Sequence, residues 1–221
     1  MTIQEKGLFI LLAGANASGK STVIKPKYVE GRVKHYLDPD RLLPIAEKDI
    51  LSDKARKVYT PESPGRFAVA CMGDWLASER IRNEGIATES NLVAKRDGDN
   101  FATAKKAGMR TELYFVGLPL ETAKEREVIR VAERKQDKID HNTLEQRYKN
   151  GLPKIQKHID SGNIDLIKIY DNGRGIGEEK LVFHMENGIT IFMNPEPILQ
   201  WFQDAKSLNP NIKIPSFLEE Q

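Results

Sequence analysis

The sequence is poor in the features that distinguish secreted, membrane-bound and nucleic-acid-binding proteins. It contains one cysteine, Cys71, in 221 residues, so no disulfide can form within the chain and a reducing compartment such as the cytoplasm is predicted. Cys71 itself is better interpreted as a small buried helix residue than as a catalytic thiol. No apolar run approaches the roughly 20 residues of a membrane-spanning helix, so we expect no membrane contact. The 34 basic and 32 acidic residues nearly balance, which argues against nucleic acid as the partner.

What the sequence does contain is an apolar run, Leu8–Ala13, followed at once by a glycine-rich loop. The loop matches the phosphate-binding pattern G-x-x-x-x-G-K-[ST] at every fixed position. Glycines let the backbone curl so that successive N–H groups point at phosphate oxygens. Lys20 places its ammonium against the β and γ phosphates, and the Ser21 hydroxyl can ligate Mg²⁺. We therefore predict a nucleotide-binding segment made of Gly14, Ala15, Asn16, Ala17, Ser18, Gly19, Lys20, Ser21 and Thr22.

Predicted strands and helices alternate along the chain, the pattern of a parallel sheet with helices on both faces. Strands are predicted at Leu8–Ala13, Val33–Leu37, Gly85–Glu89, Thr111–Val116 and Ile164–Tyr170, and a hairpin at Leu181–Met185 and Ile189–Met193 about Asn187-Gly188. Helices are predicted from Pro44 to about Val58, Ser63 to Gly85, Asp99 or Asn100 to Gly108, Pro119 to about Lys135, Asn142 (with Glu145 as a capping box) to a break or kink at Gly151 or Pro153, and from Pro195 or Pro197 onward. We expect one domain over residues 1–221, with a core of residues 1–175 and an extension of residues 176–221.

Charged residues stand where two of the predicted strands end. In parallel sheets the ligand binds beyond the carboxyl ends of the strands. Asp40, within Asp38–Arg41, can take a proton from a hydroxyl that attacks the γ-phosphate or hold the metal through water. The alternative is a turn that caps a helix. Glu89 can bind metal-bound water or a polar substrate, and the alternative is a solvated loop carboxylate.

Three arginines, Arg126, Arg130 and Arg134, are spaced four residues apart and therefore share one stripe of a predicted helix. Guanidinium groups suit phosphoryl transfer because each contacts two oxygens at once. The alternative is a solvated face that pairs with neighbouring glutamates. The polar segment Lys135–Asp140 has the character of a lid that closes over nucleotide, and Arg147 is a further candidate cation.

Six segments together resemble the zeta toxin family of P-loop kinases, in order and at compatible spacings over residues 8–172. They are the phosphate-binding loop with its flanks, Asp38–Pro44, Ile86–Leu92, Glu112–Pro119, Arg130–Arg134 and Arg147-Tyr148, and Tyr170–Asn172 looks like the family's closing strand. The resemblance implies a three-layer α/β fold of the P-loop nucleotide-kinase type. Such a fold has a mainly parallel central sheet and a helical lid, here followed by a C-terminal hairpin-plus-helix extension.

The resemblance also implies an activity. Characterised members of the zeta toxin family phosphorylate UDP-N-acetylglucosamine with ATP or GTP and Mg²⁺, and a separate antitoxin protein is a candidate partner. Asp40 matches the family's catalytic base, and Glu89 matches an acidic residue on the substrate side. The catalytic residues implied are Lys20, Asp40, Arg130 and Arg134; Ser21 is the implied metal ligand; and the acceptor-side residues are Asp40, Arg41, Glu89 and Asn91.

Two departures from the family pattern leave the acceptor open. Lys135–Asp140 is shorter than the corresponding stretch of many relatives, and Asn91 replaces a small hydroxyl residue. We predict an ATP-dependent phosphotransferase that acts on a hydroxyl of a small metabolite, with a nucleotide-sugar as the leading acceptor. The alternatives are a regulatory NTPase that hydrolyses ATP without an acceptor, and a polynucleotide 5′-kinase with a basic patch at Lys105–Arg110.

Overall fold

The computed structural model describes residues 7–37, 72–92, 95–134, 139–151, 153–173, 178–194 and 199–211, and the side chain of Arg134 is outside this description. Several predictions therefore lie outside the described residues. They concern Asp38–Arg41 with the catalytic candidate Asp40, the helix from Pro44, the first part of the helix from Ser63, Cys71, and most of the segment Lys135–Asp140.

A single sheet of seven strands organises the part of the chain that the structure describes. The strands are β1 (Leu8–Ala13), β2 (His35–Leu37), β3 (Ile86–Ser90), β4 (Arg110–Gly117), β5 (Leu166–Asp171), β6 (Lys180–Glu186) and β7 (Ile189–Met193). Their spatial order is β2-β3-β1-β4-β5-β6-β7. The first five are parallel, and β6 and β7 are antiparallel to their neighbours. The predicted α/β fold with a mainly parallel central sheet is confirmed.

Helices cover both faces of the sheet. A π-helix (Lys20–Ile24) runs into α1 (Lys25–Tyr28), and the later helices are α2 (Glu79–Glu84), α3 (Arg96–Lys106), α4 (Leu120–Arg134), α5 (His141–Gly151), α6 (Pro153–Asp160) and α7 (Gln200–Leu208), with residues 72–77 also helical. Successive residues of β1 point to opposite faces. Phe9 and Leu11 accordingly pack in the core under α3, α5 and α7, whereas Ile10 and Leu12 pack in the core under the π-helix.

The boundaries of several helices differ from the predicted ones. Helix α3 begins at Arg96, ahead of the predicted Asp99 or Asn100. Helix α7 begins at Gln200 after an extended Leu199, and the predicted starts at Pro195 and Pro197 lie outside the described residues. The prediction that Asn142 caps α5 is wrong. The backbone N–H of Thr143, in the first turn of α5, donates a hydrogen bond of 3.1 Å to the carboxylate of Asp140. Asp140 is one of the residue types that most favour this capping role.

The predicted breaks are mostly confirmed. Helix α5 ends at Gly151 and α6 begins at Pro153, a position where the first turn of a helix tolerates proline, and Leu152 between them lies outside the described residues. Ser78 is an unpredicted interruption: its extended backbone (ψ 126°) separates the helical residues 72–77 from α2, which ends before Gly85 as expected. The hairpin is also confirmed, with positive φ at Asn187 (51°) and Gly188 (79°), as a two-residue turn of type I′ requires.

Candidate nucleotide-binding site

The phosphate-binding loop follows β1 and curls through left-handed backbone conformations. The φ angles are 138° at Gly14, 60° at Ala17 and 99° at Gly19. A side chain at Gly14 would place its Cβ 2.4 Å from the carbonyl oxygen of Val116 on the neighbouring strand β4. Glycine is therefore required at this position, and the curled backbone has the shape of an anion-binding nest.

The side chain of Lys20 lies across this loop and is largely buried. Its ammonium donates to the carbonyl oxygens of Gly14 at 2.8 Å and Ala15 at 2.9 Å. A cation is thus held at the loop that an anionic phosphate chain would enter, as the sequence motif predicts.

The helix after the loop starts with a π-helical turn, Lys20–Ile24, and Pro26 follows in the first turn of α1. A continuous α-helical ladder through this point would need a backbone N–H from Pro26, which proline lacks. The N–H of Lys25 instead bonds to the carbonyl of Lys20, five residues earlier, and regular α-helix resumes over Lys25–Tyr28. Such π-helical turns are frequent at functional sites.

Glu89 is held between the loop and strand β2. Its carboxylate accepts a hydrogen bond of 2.6 Å from the hydroxyl of Ser21 and another from the phenol of Tyr36. The ammonium of Lys25 lies 3.9 Å above the centre of the Tyr36 ring. Parallel pairing of β1, β2 and β3 brings these groups to the same carboxyl edge of the sheet. The structure therefore joins the predicted metal ligand Ser21 to the predicted acidic residue Glu89.

The same pair of oxygen donors fits Mg²⁺. This ion prefers oxygen ligands and is usually bound by one or two protein groups together with substrate phosphates and water. Among the described residues no group of three or more His, Cys, Asp or Glu side chains could hold a metal by itself. The chemistry of Ser21 and Glu89 thus suits an ion that arrives with a nucleotide.

The loop is also held from the side of β5 by Asn172, which sequence reasoning did not select. The side-chain amide of Asn172 is buried and donates 2.8 Å to the carbonyl oxygen of Ser18. Arg126 in α4 donates 3.1 Å to the backbone carbonyl of Asn172. The rule that ligands bind where strands end applies to Asn172 as it does to Glu89, and would have selected it.

The predicted arginine stripe divides between different partners. Arg126 contacts the segment after β5, whereas the guanidinium of Arg130 donates 2.9 Å to the buried carboxylate of Glu127 one turn earlier. This pair matches the alternative in which the stripe binds neighbouring glutamates. Arg147 in α5, by contrast, donates to the side-chain oxygen of Asn16 within the phosphate-binding loop. Arg147 is thus the predicted cation that the structure brings into contact with the loop.

The turn after β3 carries Asn91 and is fixed by buried groups. The hydroxyl of Ser90 donates 2.7 Å to the carboxylate of Asp97 and accepts from the backbone N–H of Leu92. Leu92 has a φ of 57°, a conformation that costs a residue with a side chain about 1 kcal/mol or more. Asn91 lines a small cavity beside the loop together with Ala15, Phe115, Arg147, Tyr148 and Trp201.

The C-terminal extension reaches this cavity through α7. Trp201 packs so closely on β4 that a Cβ at Gly117 would lie 2.3 Å from its indole ring. Asp204 accepts a hydrogen bond of 2.7 Å from the N–H of Leu120, the first residue of α4. The extension therefore supports the start of the helix that carries the arginine stripe.

Several solved structures share the fold of this chain. A chain of the AvrRxo1-ORF1:AvrRxo1-ORF2 complex with sulphate ions is similar to this one at a TM-score of 0.62 and 16% identity, over 96% of this chain and 65% of that one. A chain of the same complex with ATP has a TM-score of 0.62 and 16% identity to this one, and the match covers 96% of this chain and 64% of that one. A chain of the PezAT chromosomal toxin–antitoxin system of the human pathogen Streptococcus pneumoniae has a TM-score of 0.55 and 15% sequence identity to this one. The match covers 98% of this chain and 83% of that one. This chain shares their fold.

The TM-scores of 0.62 and 0.55 show a common architecture. The α/β fold with a mainly parallel central sheet that the resemblance implies is therefore confirmed. The chain spans less than two thirds of the length of the AvrRxo1 complex chains, 65% and 64%. No protein-family model matches the sequence, and no curated protein is significantly similar to it. Within the described residues no helix is long and apolar enough to cross a membrane.

Proposed function

We propose that the protein is an ATP-dependent phosphotransferase that acts on a hydroxyl of a small metabolite, with UDP-N-acetylglucosamine as the leading acceptor. One observation carries the proposal: a phosphate-binding loop with Lys20 across it meets the Ser21–Glu89 pair at the carboxyl edge of the sheet. This combination provides a cradle for a triphosphate and oxygen donors for its Mg²⁺ on adjacent elements.

The described residues of the site suit ATP. In this proposal the loop N–H groups and Lys20 bind the phosphate chain, and Ser21 and Glu89 bind the metal directly or through water. Bound Mg·ATP supplies the phosphoryl group and neutralises part of its charge. Arg147, which contacts Asn16, is placed to enter the same cradle. The similarity in fold to a complex crystallised with ATP is in keeping with this assignment.

The acceptor side of the proposal rests on the sequence. Asp40 follows the described strand β2, whose neighbour β3 carries Glu89. In the proposed reaction Asp40 orients the acceptor hydroxyl and takes its proton, while Arg41 and Asn91 contact the acceptor. Lys20, Arg130 and Arg134 stabilise the charge on the transferred phosphoryl group. Arg130 uses one of its five N–H donors on Glu127, which leaves other donors of the guanidinium for the phosphoryl group.

Incubation with γ-labelled ATP and a panel of acceptors that includes UDP-N-acetylglucosamine tests the function. Labelled acceptor is expected with the native chain, and Lys20→Ala is expected to abolish its formation. Lys27→Ala is the matched control, because Lys27 lies about two turns further along, in α1, and pairs with Glu179 instead of the loop. Release of free phosphate without any labelled acceptor would contradict the proposal and favour the regulatory NTPase.

The second alternative, a polynucleotide kinase, has less support. Two cations of its basic patch are engaged in ion pairs, Lys105 with Asp165 and Arg110 with both Glu112 and Glu186. Oligonucleotides belong in the same acceptor panel, and salt-sensitive binding to them would favour this alternative.

The proposal extends to a partner protein. One structural neighbour belongs to a toxin–antitoxin system, and a separate antitoxin that covers the nucleotide site is the corresponding partner for this chain.

The single cysteine favours the cytoplasm as the location of the protein.

A further inference from the structure

Asn172 lies against the phosphate-binding loop although 154 positions of sequence separate it from Ser18. Only about 1% of its surface is exposed, and its side-chain amide donates 2.8 Å to the carbonyl oxygen of Ser18. A hydrogen bond in such a buried place stabilises its geometry strongly, because water cannot replace either partner.

The bond fixes one peptide plane of the loop. The carbonyl oxygen of Ser18 and the N–H of Gly19 belong to the same planar trans peptide and point in opposite directions. Asn172 holds the oxygen on the outer side, so the N–H of Gly19 is directed to the inner side. In loops of this kind the inner N–H groups are the ones that bind phosphate oxygens.

The position of Asn172 also requires that residue 19 be glycine. A Cβ at Gly19 would lie 2.5 Å from the amide nitrogen of Asn172. Gly19 has a φ of 99°, which glycine adopts without strain. The absence of a side chain at Gly19 thus makes room for the amide that orients its own peptide.

Asn172 is itself fixed at its backbone. Its N–H donates 2.9 Å to the carbonyl of Gly117 at the end of β4. Its carbonyl accepts 3.1 Å from the guanidinium of Arg126 in α4. The side chain therefore extends from a rigid position, and the loop, β5 and α4 share one hydrogen-bonded residue.

We propose that Asn172 is a positioning residue for the triphosphate: it orients the Ser18–Gly19 peptide so that the Gly19 N–H binds a phosphate oxygen. This inference rests on the proposed function, since it requires that the loop binds a nucleotide. It assigns Asn172 no contact with the transferred group. Its effect falls on affinity for the phosphate chain and leaves contacts to the base unchanged.

Calorimetric titration tests the proposal with two probes, Mg·ATP and inorganic tripolyphosphate. Asn172→Asp keeps the shape but removes the donor and adds a negative charge beside the Ser18 oxygen. We expect it to bind both probes at least about tenfold more weakly, by the same factor for each. Asn172→Ala removes the donor without adding charge, and a loss of about fivefold for both probes is expected.

Asn194→Asp is the matched control, because Asn194 is also buried but follows β7, at the opposite edge of the sheet from β2. It should bind both probes as the native chain does. Binding of both probes by the two Asn172 variants within twofold of the native chain would overturn the inference alone. Failure of both variants to fold while Asn194→Asp folds would also overturn it, in favour of a structural role. If the native chain binds neither probe, the proposed function itself fails.

Discussion

Glu89 accepts hydrogen bonds from two hydroxyl groups, that of Ser21 and that of Tyr36. A carboxylate held from two sides has little freedom to rotate, and outer partners of this kind orient metal ligands. Tyr36 and Asn172 share this character, because each acts on the proposed site through another residue. Sequence patterns select residues that touch a ligand more readily than residues that support them.

Removal of the Tyr36 hydroxyl should weaken the dependence of phosphoryl transfer on low concentrations of Mg²⁺. In Tyr36→Phe the Glu89 carboxylate keeps the hydrogen bond from Ser21 but loses the one from Tyr36. We therefore expect the Mg²⁺ concentration for half-maximal phosphoryl transfer to rise about tenfold. The measurement is the rate as a function of Mg²⁺ at saturating ATP. Tyr28→Phe is the control, since the Tyr28 phenol bonds to Tyr170 instead. Equal Mg²⁺ dependence in the native chain and Tyr36→Phe would refute the positioning role.

The C-terminal helix α7 acts at the level of elements, because it provides a cap for another helix. The first N–H groups of a helix have no partner within it. At the start of α4 the carboxylate of Asp204 accepts from Leu120, while the side chain of Gln200 donates 2.8 Å to its other oxygen. Docking of the extension and stability of α4 are therefore linked.

Loss of this cap should destabilise the fold by about 1 kcal/mol, the usual cost of removing a capping side chain. We expect Asp204→Ala to lower the free energy of unfolding in urea by this amount. Asp204→Asn retains an acceptor oxygen and should recover most of the difference. An alanine variant as stable as the native chain would mean that water satisfies the Leu120 N–H equally well.

Sequence predicted these elements to different degrees, for physical reasons. Strand β1 and the loop follow from local pattern alone, because burial and the fixed residues of the motif coincide there. The start of α3 at Arg96 and the Asp140 cap were missed, since several neighbouring residues can begin a helix with similar free energy. The contact of Asn172 with Ser18 could not be predicted from spacing. It depends on β5 lying beside β4, which only the assembled sheet provides.

At the scale of the whole molecule, His158 links stability to pH. It lies on α6 and is buried, with its ring against that of Phe101. Burial, with smaller contributions from Lys154 and Lys157, lowers the pKa of His158 from 6.5 to about 4. The folded chain therefore keeps this imidazole neutral at pH values where the unfolded chain protonates it. The contribution of His158 to stability is therefore complete above pH 6.5 and is lost as the pH decreases from 6.5 towards 4.

Unfolding in urea at several pH values checks this linkage. Between pH 7.5 and pH 5 the His158 contribution to the free energy of unfolding should decrease by about 2 kcal/mol. His158→Phe keeps an aromatic ring against Phe101 and removes the titration, so its stability should change less over this interval. The difference between the two proteins isolates His158 from other groups. Parallel pH profiles would contradict the assignment.

The hydrogen bond between Asn172 and Ser18 can form only after residue 172 has been synthesised. A nascent chain carries residues 14–21 long before the ribosome adds residue 172, and β4, against which β5 aligns, also comes later. All residues of the glycine-rich motif are therefore synthesised well before the loop can adopt its folded conformation. Under the role proposed for Asn172, full affinity for the phosphate chain is therefore reached only after β5 has been translated.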